Sequence, residues 1–272
     1  MSARKPDGSN RNTPRDGSPL RDIAPVIEGW PYESGTLNVR KIVGLDGRPK
    51  LQMRLDLGLL QMEVDGRPDG ARPHGHDSLL DYHEQQLATH KRSHGTTDGY
   101  HLTPRHCQQL REEGVQYYHR YLSLFVLGEF DAVVRDTARN LRLLDLCQRF
   151  AVDENDRMVL EQYRPYIVMM NTRAAASIQM RNKQYADALQ TVRRGLKSIK
   201  QFFRKVGQLE AYRHAGEVRT LKRFGNEIRK KMPVDPMEQL QKQLDKAIRA
   251  ERYEEAARLR DEITRLADQK TV

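Results

Sequence analysis

Two consecutive apolar stripes near the C-terminus, each with helical spacing, constrain the possible folds of this chain more than any other feature. Asp235 is a favourable N-cap, Pro236 suits a first helical turn, and Glu238 completes an arrangement like a capping box. Small alanines in both stripes allow two helix axes to approach closely, with Tyr253 filling the turn between them. The pattern predicts an antiparallel helical hairpin over 235–268. The stripes are Leu240, Leu244, Ala247 and Ile248, followed by Tyr253, Ala256, Ala257, Leu259, Ile263 and Leu266.

The order of residues within this segment is more informative than its periodicity, which also fits a generic Ala-rich hairpin. Residues 252–263 read Arg-Tyr-Glu-Glu-Ala-Ala-Arg-Leu-Arg-Asp-Glu-Ile, after Gln-Leu-Gln-Lys-Gln-Leu-Asp-Lys-Ala-Ile at 239–248. This string resembles the UVR motif, the helical hairpin of UvrB, UvrC, ClpC and McsA. The resemblance implies a protein-docking and self-pairing element without catalytic residues. The candidate partner-binding residues are Leu240, Leu244, Ala247, Tyr253, Ala256, Ala257, Leu259, Arg260, Asp261 and Ile263.

Several sequence motifs that carry catalysis are absent from the chain. No Gly-x-x-x-x-Gly-Lys-Ser/Thr sequence occurs, so we expect no phosphate-loop ATPase. Cys107 and Cys147 are the only cysteines and stand 40 residues apart, so no paired Cys-x-x-Cys zinc site can form. We therefore predict that the protein is not an enzyme and needs no cofactor.

The composition is typical of a soluble, helix-rich protein. Of 272 residues, 38% are hydrophobic and 31% are charged, which allows one large or two small domains plus tails. No apolar run is long enough to span a membrane, and no basic-then-apolar start indicates a signal peptide. These observations predict a cytoplasmic protein without a membrane partner.

The N-terminal quarter divides into a tail and a β region. Residues 1–25 are rich in Ser, Asn, Asp, Gly, Pro and Arg, which predicts a disordered tail. Over 30–70, alternating apolar residues flank an Asp46-Gly47 turn, which predicts a β-hairpin, and 59–64 can add a third strand. We expect this small sheet to lie on the helices downstream or to form a separate domain. The alternating residues are Leu37, Val39, Val43 and Leu45, then Leu51, Met53, Leu55 and Leu57.

A histidine-rich connector follows at 71–103, with one helix predicted at about 78–91. The cluster His74, His76, Asp77 and His83 could in principle supply ligands to zinc or nickel. Its spacing matches no closed metal site, and His-Glu-x-x-His does not occur in the chain. We therefore interpret the connector as a polar loop and predict no metal site.

The segment 104–232 predicts the helical core. Thr103-Pro104 is a cap followed by a first-turn proline, and tight helix–helix corners are predicted at 128–132 and 183–188. Long helices are predicted over about 156–182 and 208–232. The corners resemble those of tetratricopeptide-type helical pairs, although an ordinary helical bundle remains the alternative. The predicted fold class is mainly α: a small N-terminal β-hairpin or sheet, an α-solenoid-like helical domain and a C-terminal UVR hairpin.

Positive charge is concentrated at the end of this helical segment. Residues 193–231 contain thirteen Lys or Arg and three Glu, a surplus of ten that equals the formal net charge of the whole chain, +10. Such a face could hold a nucleic-acid backbone or an acidic protein, although basic residues at a helix C-terminus also complement the helix dipole. The candidate nucleic-acid-binding residues are Lys222, Arg223, Arg229, Lys230 and Lys231.

Two functions remain open on the sequence alone. The first is a non-enzymatic adaptor that docks a protein, or a second UVR hairpin, through 235–268; the resemblance links this function to excision repair or to chaperone and protease regulation. The second is a nucleic-acid-associated factor that binds DNA non-specifically through 193–231.

Overall fold

The computed structural model describes residues 22–233 and 236–269. The protein is mainly helical, with a three-stranded antiparallel sheet near the N-terminus and a helix pair at the C-terminus, as the sequence predicts. The predicted disordered tail lies largely outside the described residues, although Ala24–Ile27 forms a short helix, α1. The chain divides into two compact units, residues 22–132 with 145–157, and residues 133–144 with 158–269.

The sheet of the first unit is formed by β1 (Val39–Val43), β2 (Pro49–Arg54) and β3 (Leu59–Glu63), in that spatial order. Gly47 has φ +73°, which only a residue such as glycine adopts easily, and it forms the predicted turn between β1 and β2. Leu51 of β2 pairs with Met62 of β3, and both are buried. This face packs on helix α3 (Pro104–Val126), so the predicted cover of the sheet by downstream helices is confirmed.

The predicted apolar face of the sheet is only partly correct. Leu51 and Met53 are buried as expected, but Leu45 and Leu57 are exposed because they lie in the loops beyond the strand ends. Leu37, Val43 and Leu55 are exposed as well. The central strand is instead covered on both faces, because Lys50 and Gln52 are also buried. Alternation in the sequence therefore identified the strands but overestimated the length of the apolar face.

Helix α2 (Leu79–His94) begins where the sequence predicts, with Ser78 as its N-cap accepting a hydrogen bond from the Asp81 amide at 3.1 Å. The fully buried carboxylate of Glu113, in α3, accepts hydrogen bonds from the Leu79 amide at 2.7 Å and the Leu80 amide at 3.2 Å. The free amides of a helix N-terminus need such acceptors when they are buried. Glu113 therefore fixes α2 against α3, a role that its position in the sequence did not reveal.

The helices of the central segment meet at the predicted corners. Helix α4 (Phe130–Phe150) follows α3 through Gly128, and α7 (Tyr185–Lys205) follows α6 (Arg164–Arg181) through Lys183. Gly128 has φ +74° and Lys183 has φ +61°. Both corners show the same backbone hydrogen-bond pattern, with a left-handed residue after the helix C-terminus.

The prediction of one long helix over 156–182 is wrong. The segment is broken into α5 (Glu154–Met158), a 3₁₀ turn at Glu161–Tyr163 and α6. The cause is Pro165, which has no amide hydrogen and is tolerated only in the first turn of a helix. Met158, expected in the core, is half exposed because it lies at this break.

The helix predicted over 208–232 is also broken. Residues Ala211–His214 form the short helix α8, and Gly216–Lys231 form α9. Ala215 is extended between them, with φ −61° and ψ 132°. Glycine at 216 weakens helix continuation because it loses more backbone entropy than other residues. Leu209, predicted on the buried side, is exposed as a result.

In the second unit, helices α6, α7 and α9 pack on one another. The buried side of α7 includes Val192 and Ile199, and the buried side of α9 includes Leu221 and Ile228. Two glycines lie in these seams, Gly195 between α7 and α6 and Gly225 between α9 and α7. The C-terminal pair of the same unit is α10 (Pro236–Arg249) and α11 (Tyr253–Gln269), and among the described residues no helix has the length and apolar character needed to cross a bilayer.

Candidate docking hairpin and basic face

Helices α10 and α11, called the docking hairpin below, have a hydrophobic core of their own. Leu244 and Ala247 of α10 and Ala256 and Leu259 of α11 are buried together. The alanines in this core permit the close helix approach that the sequence predicts. The predicted N-cap Asp235 lies outside the described residues, as do the side chains of Glu238 and Leu266. Packing against this core, and partly buried, are Leu240 and Ile263.

The turn of the docking hairpin repeats the corner geometry of the central helices. Glu251 is left-handed, with φ +57°. Its amide donates to the Ile248 carbonyl at 3.0 Å, and the Arg252 amide donates to the Ala247 carbonyl at 2.9 Å. Such a pair of hydrogen bonds satisfies carbonyls that the end of a helix leaves free. The backbone therefore fixes the direction of α11 relative to α10.

The outward side of the docking hairpin carries the exposed members of the predicted set. Tyr253 is 71% exposed, so it does not fill the turn as predicted. The spacing of i, i+4, i+7 and i+8 places Tyr253, Ala257, Arg260 and Asp261 on one side of α11, and all are exposed. Ile248, expected inside, is 46% exposed. The predicted partner-binding residues thus fall into two groups, one inside the docking hairpin and one on its surface.

The outward group is called the docking face below and consists of Tyr253, Ala257, Arg260 and Asp261. This group can touch a partner while the docking hairpin stays folded, whereas the fully buried group is occupied by its own packing. Tyrosine and arginine are enriched in protein interfaces and at their energetic hot spots, and the docking face exposes one of each, Tyr253 and Arg260.

The basic segment 193–231 lies in the second unit. All thirteen Lys and Arg of 193–231 are exposed, including the predicted residues of α9. Among the residues that the structure describes, only Arg213 of these thirteen has a carboxylate oxygen within 4 Å, that of Glu210 at 3.4 Å. The predicted residues are Lys222, Arg223, Arg229, Lys230 and Lys231.

Two histidines of the connector contact the ring of Tyr82. His74 stacks on Tyr82 with ring centroids 4.2 Å apart, and His76 meets the same ring at 5.5 Å. Burial, with smaller contributions from the charges of His106 and His74, lowers the pKa of His83 to about 4. Over residues 22–233 and 236–269, no three His, Cys, Asp or Glu side chains are grouped so as to hold a metal ion.

The two cysteines, distant in the sequence, are neighbours in the first unit. Cys107 of α3 and Cys147 of α4 are fully buried, and their thiols influence each other's ionisation. The neighbouring Cys107 thiol and burial raise the pKa of the Cys147 thiol. This pairing could not be predicted from the sequence, because it depends on how α3 and α4 place residues that are 40 positions apart.

Comparison with protein-family models finds the UVR motif (UvrB/uvrC motif) at residues 236–269, which confirms the resemblance seen in the sequence. The match covers the docking hairpin and about an eighth of the chain. UVR motifs generally mediate protein–protein interaction and self-pairing. Searches of curated proteins and of solved structures find no significant match, and the resemblance of 104–232 to tetratricopeptide pairs is not confirmed.

Proposed function

We propose that this protein is a non-enzymatic adaptor that docks through the docking face of its UVR hairpin, with a second UVR hairpin as the partner. The second hairpin can belong to another copy of this chain or to another UVR protein, in excision repair or in chaperone regulation. The observation that carries the proposal is the division of the motif into a self-contained core and an exposed face.

The chemistry of the docking face supports pairing with a similar hairpin. Arg260 and Asp261 are adjacent and exposed, and neither has a charged partner within 4 Å among the described residues. In a two-fold symmetric pair, each residue of one copy meets the complementary residue of the other. Arg260 of one hairpin can therefore meet Asp261 of the second, while Tyr253 supplies apolar area.

A cleft in the second unit lacks the side chains that acid–base catalysis uses. It has a volume of about 410 Å³ and lies between α4, α6 and α7. Arg194 is its single titratable lining group, and it donates to the Thr191 hydroxyl at 3.0 Å. General acid–base and nucleophilic catalysis need a titratable group with a pKa near the working pH, which an arginine cannot supply.

The experiment is sedimentation equilibrium of the full-length chain over a range of concentrations. Ala257→Glu places a carboxylate in the docking face without touching the core of the docking hairpin. We expect self-association to weaken by at least tenfold, because burying an unpaired charge costs several kcal/mol. Ala186→Glu is the matched control, since Ala186 is an exposed alanine of α7. Tyr253→Ser should also weaken self-association.

Circular dichroism must show unchanged helicity in Ala257→Glu for the comparison to count. Association equal to wild type in both Ala257→Glu and Tyr253→Ser would overturn the docking face as the contact surface. Two results together would overturn the proposed function itself. The first is that the wild-type chain stays monomeric, and the second is that wild type and Ala257→Glu capture a purified second UVR protein equally well.

A further inference from the structure

Many basic residues of the second unit lie beside the contact between α7 and α9. A β-carbon built on Gly225 would lie 3.5 Å from Cγ1 of Val192, which is ordinary contact and marks where α9 meets α7. A β-carbon on Gly195 would collide with Thr172, which marks where α7 meets α6. Val192 therefore marks the side of α7 that faces α9, and Gly195 marks the side that faces α6.

Helical spacing then places cations on both sides of the α7–α9 contact line. Successive residues of a helix are rotated by about 100° around its axis. On α7, four basic residues lie on the exposed side that is next to Val192 and turned away from α6. On α9, most exposed positions on the side turned away from buried Leu221 and Ile228 are basic as well, although Asn226 there is neutral. This set is called the basic strip and consists of Arg193, Lys197, Lys200 and Arg204 of α7 and Arg219, Lys222 and Arg229 of α9.

The basic strip is electrostatically uncompensated. Every one of its side chains is exposed, and among the described residues none has a carboxylate within 4 Å. Arg229 donates to the neutral Asn226 side chain at 2.6 Å, which leaves its charge available. The strip therefore presents a linear array of positive charge that the fold does not neutralise.

The surroundings of the strip decide what kind of anion fits. Within α7 and α9, both described in full, no large apolar side chain is exposed. Protein interfaces depend on buried aromatic or aliphatic anchors, and single-stranded nucleic acid is held by stacking on aromatic side chains. A phosphate backbone needs only cations. The strip thus fits a duplex better than an acidic protein or a single strand.

We propose that the basic strip binds the sugar–phosphate backbone of double-stranded nucleic acid without reading its sequence. From Arg193 to Arg204 the strip runs about 16 Å along α7, at about 1.5 Å per residue. Over that distance one strand of a duplex presents about five phosphates, at about 3.4 Å along the axis. This activity lies outside the docking hairpin and does not depend on the docking face.

The test measures binding of full-length protein to duplexes of about 20 base pairs at several salt concentrations. The strip variant changes Lys197, Lys200 and Lys222 to Gln. The matched control changes Lys91, Lys205 and Lys246 to Gln, which removes the same charge from exposed lysines outside the strip. We expect the strip variant to reduce the slope of log K against log salt by about three, and the control to change it by less than about one.

AT-rich and GC-rich duplexes should bind equally, because backbone contacts carry no sequence information. Equal losses in the strip variant and the control would overturn the proposal, since total charge and not the strip would then govern binding. Polyglutamate that competes as well as duplex per unit charge would also overturn it, in favour of an acidic protein partner. Failure of the wild-type protein to bind duplex at about 50 mM salt would also overturn the proposal.

Discussion

Gly195 of α7 lies directly against the side chain of Thr172 in α6. A β-carbon built on Gly195 would come within 2.7 Å of Cγ2 and 2.9 Å of Cβ of Thr172, closer than real β-carbons approach. Thr172 is itself buried, so it has little room to move away. The approach of α6 to α7 therefore depends on the absence of a side chain at 195.

We predict that Gly195→Ala lowers the free energy of unfolding by about 1–3 kcal/mol, because an extra methyl group in a packed core forces backbone shifts. Gly225→Ala is the control, since its β-carbon would make only ordinary contact, and it should raise the free energy of unfolding by about 0.5–1 kcal/mol. Urea unfolding measures both. Effects of the same sign would contradict the packing described here.

The core of the docking hairpin gives a second prediction. Leu259→Asp should unfold α10 and α11, because it buries an unpaired carboxylate at a site that is 9% exposed. Limited proteolysis should then cleave within 236–269 while Ala257→Asp stays resistant. Resistance of Leu259→Asp equal to wild type would mean that the hairpin core does not hold the two helices together.

His83 should make the stability of the protein depend on pH. Its folded pKa of about 4 lies below the usual value of 6.5, so in this range the unfolded chain binds more protons. Stability from this residue is therefore complete above about pH 6.5 and is lost as the pH falls toward about 4. The slope that it contributes is at most about 1.4 kcal/mol per pH unit.

Chemical denaturation of wild type and His83→Gln between these pH values measures that slope. We expect the slope to fall in His83→Gln and to stay unchanged in His214→Gln, because His214 is exposed. Parallel curves for wild type and His83→Gln would show that the buried imidazole does not titrate with folding.

The buried cysteines should be inert in the folded protein. Cys107 and Cys147 are both 0% exposed, and a thiol must ionise and reach the reagent before it reacts. We predict that a thiol reagent modifies neither in the native protein and modifies both after denaturation in guanidinium. Rapid stoichiometric modification of the native protein would contradict the burial of the pair.

Elements with local chemical signals could be predicted from the sequence. The turn at Asp46-Gly47 and the cap at Thr103-Pro104 each have a residue type that the backbone requires, and both occur where expected. The docking hairpin was predictable because its stripe spacing and its residue order point to the same structure. Local propensity and tertiary packing agree at these places.

Features that depend on long-range packing could not be predicted. The meeting of Cys107 with Cys147 and the capping of α2 by Glu113 join residues more than 30 positions apart. The division of the predicted partner-binding set is a different case, because Tyr253 and Leu259 are six residues apart and therefore lie about 240° apart around α11. Helical spacing could separate them, but the predicted stripe placed both on one face. The break at Pro165 was visible in the sequence, but helical periodicity on both sides concealed it.

The basic strip also has a consequence for the helices that carry it. Arg193 and Lys197, and likewise Lys200 and Arg204, are like charges one helical turn apart, and each such pair opposes helix formation by about 0.2–0.5 kcal/mol. The folded unit therefore keeps an internal repulsion that dissolved anions relieve. A bound polyanion would raise the melting temperature of α7 and α9 as well as occupy their surface, so heat resistance of this unit reports directly on occupancy of the strip.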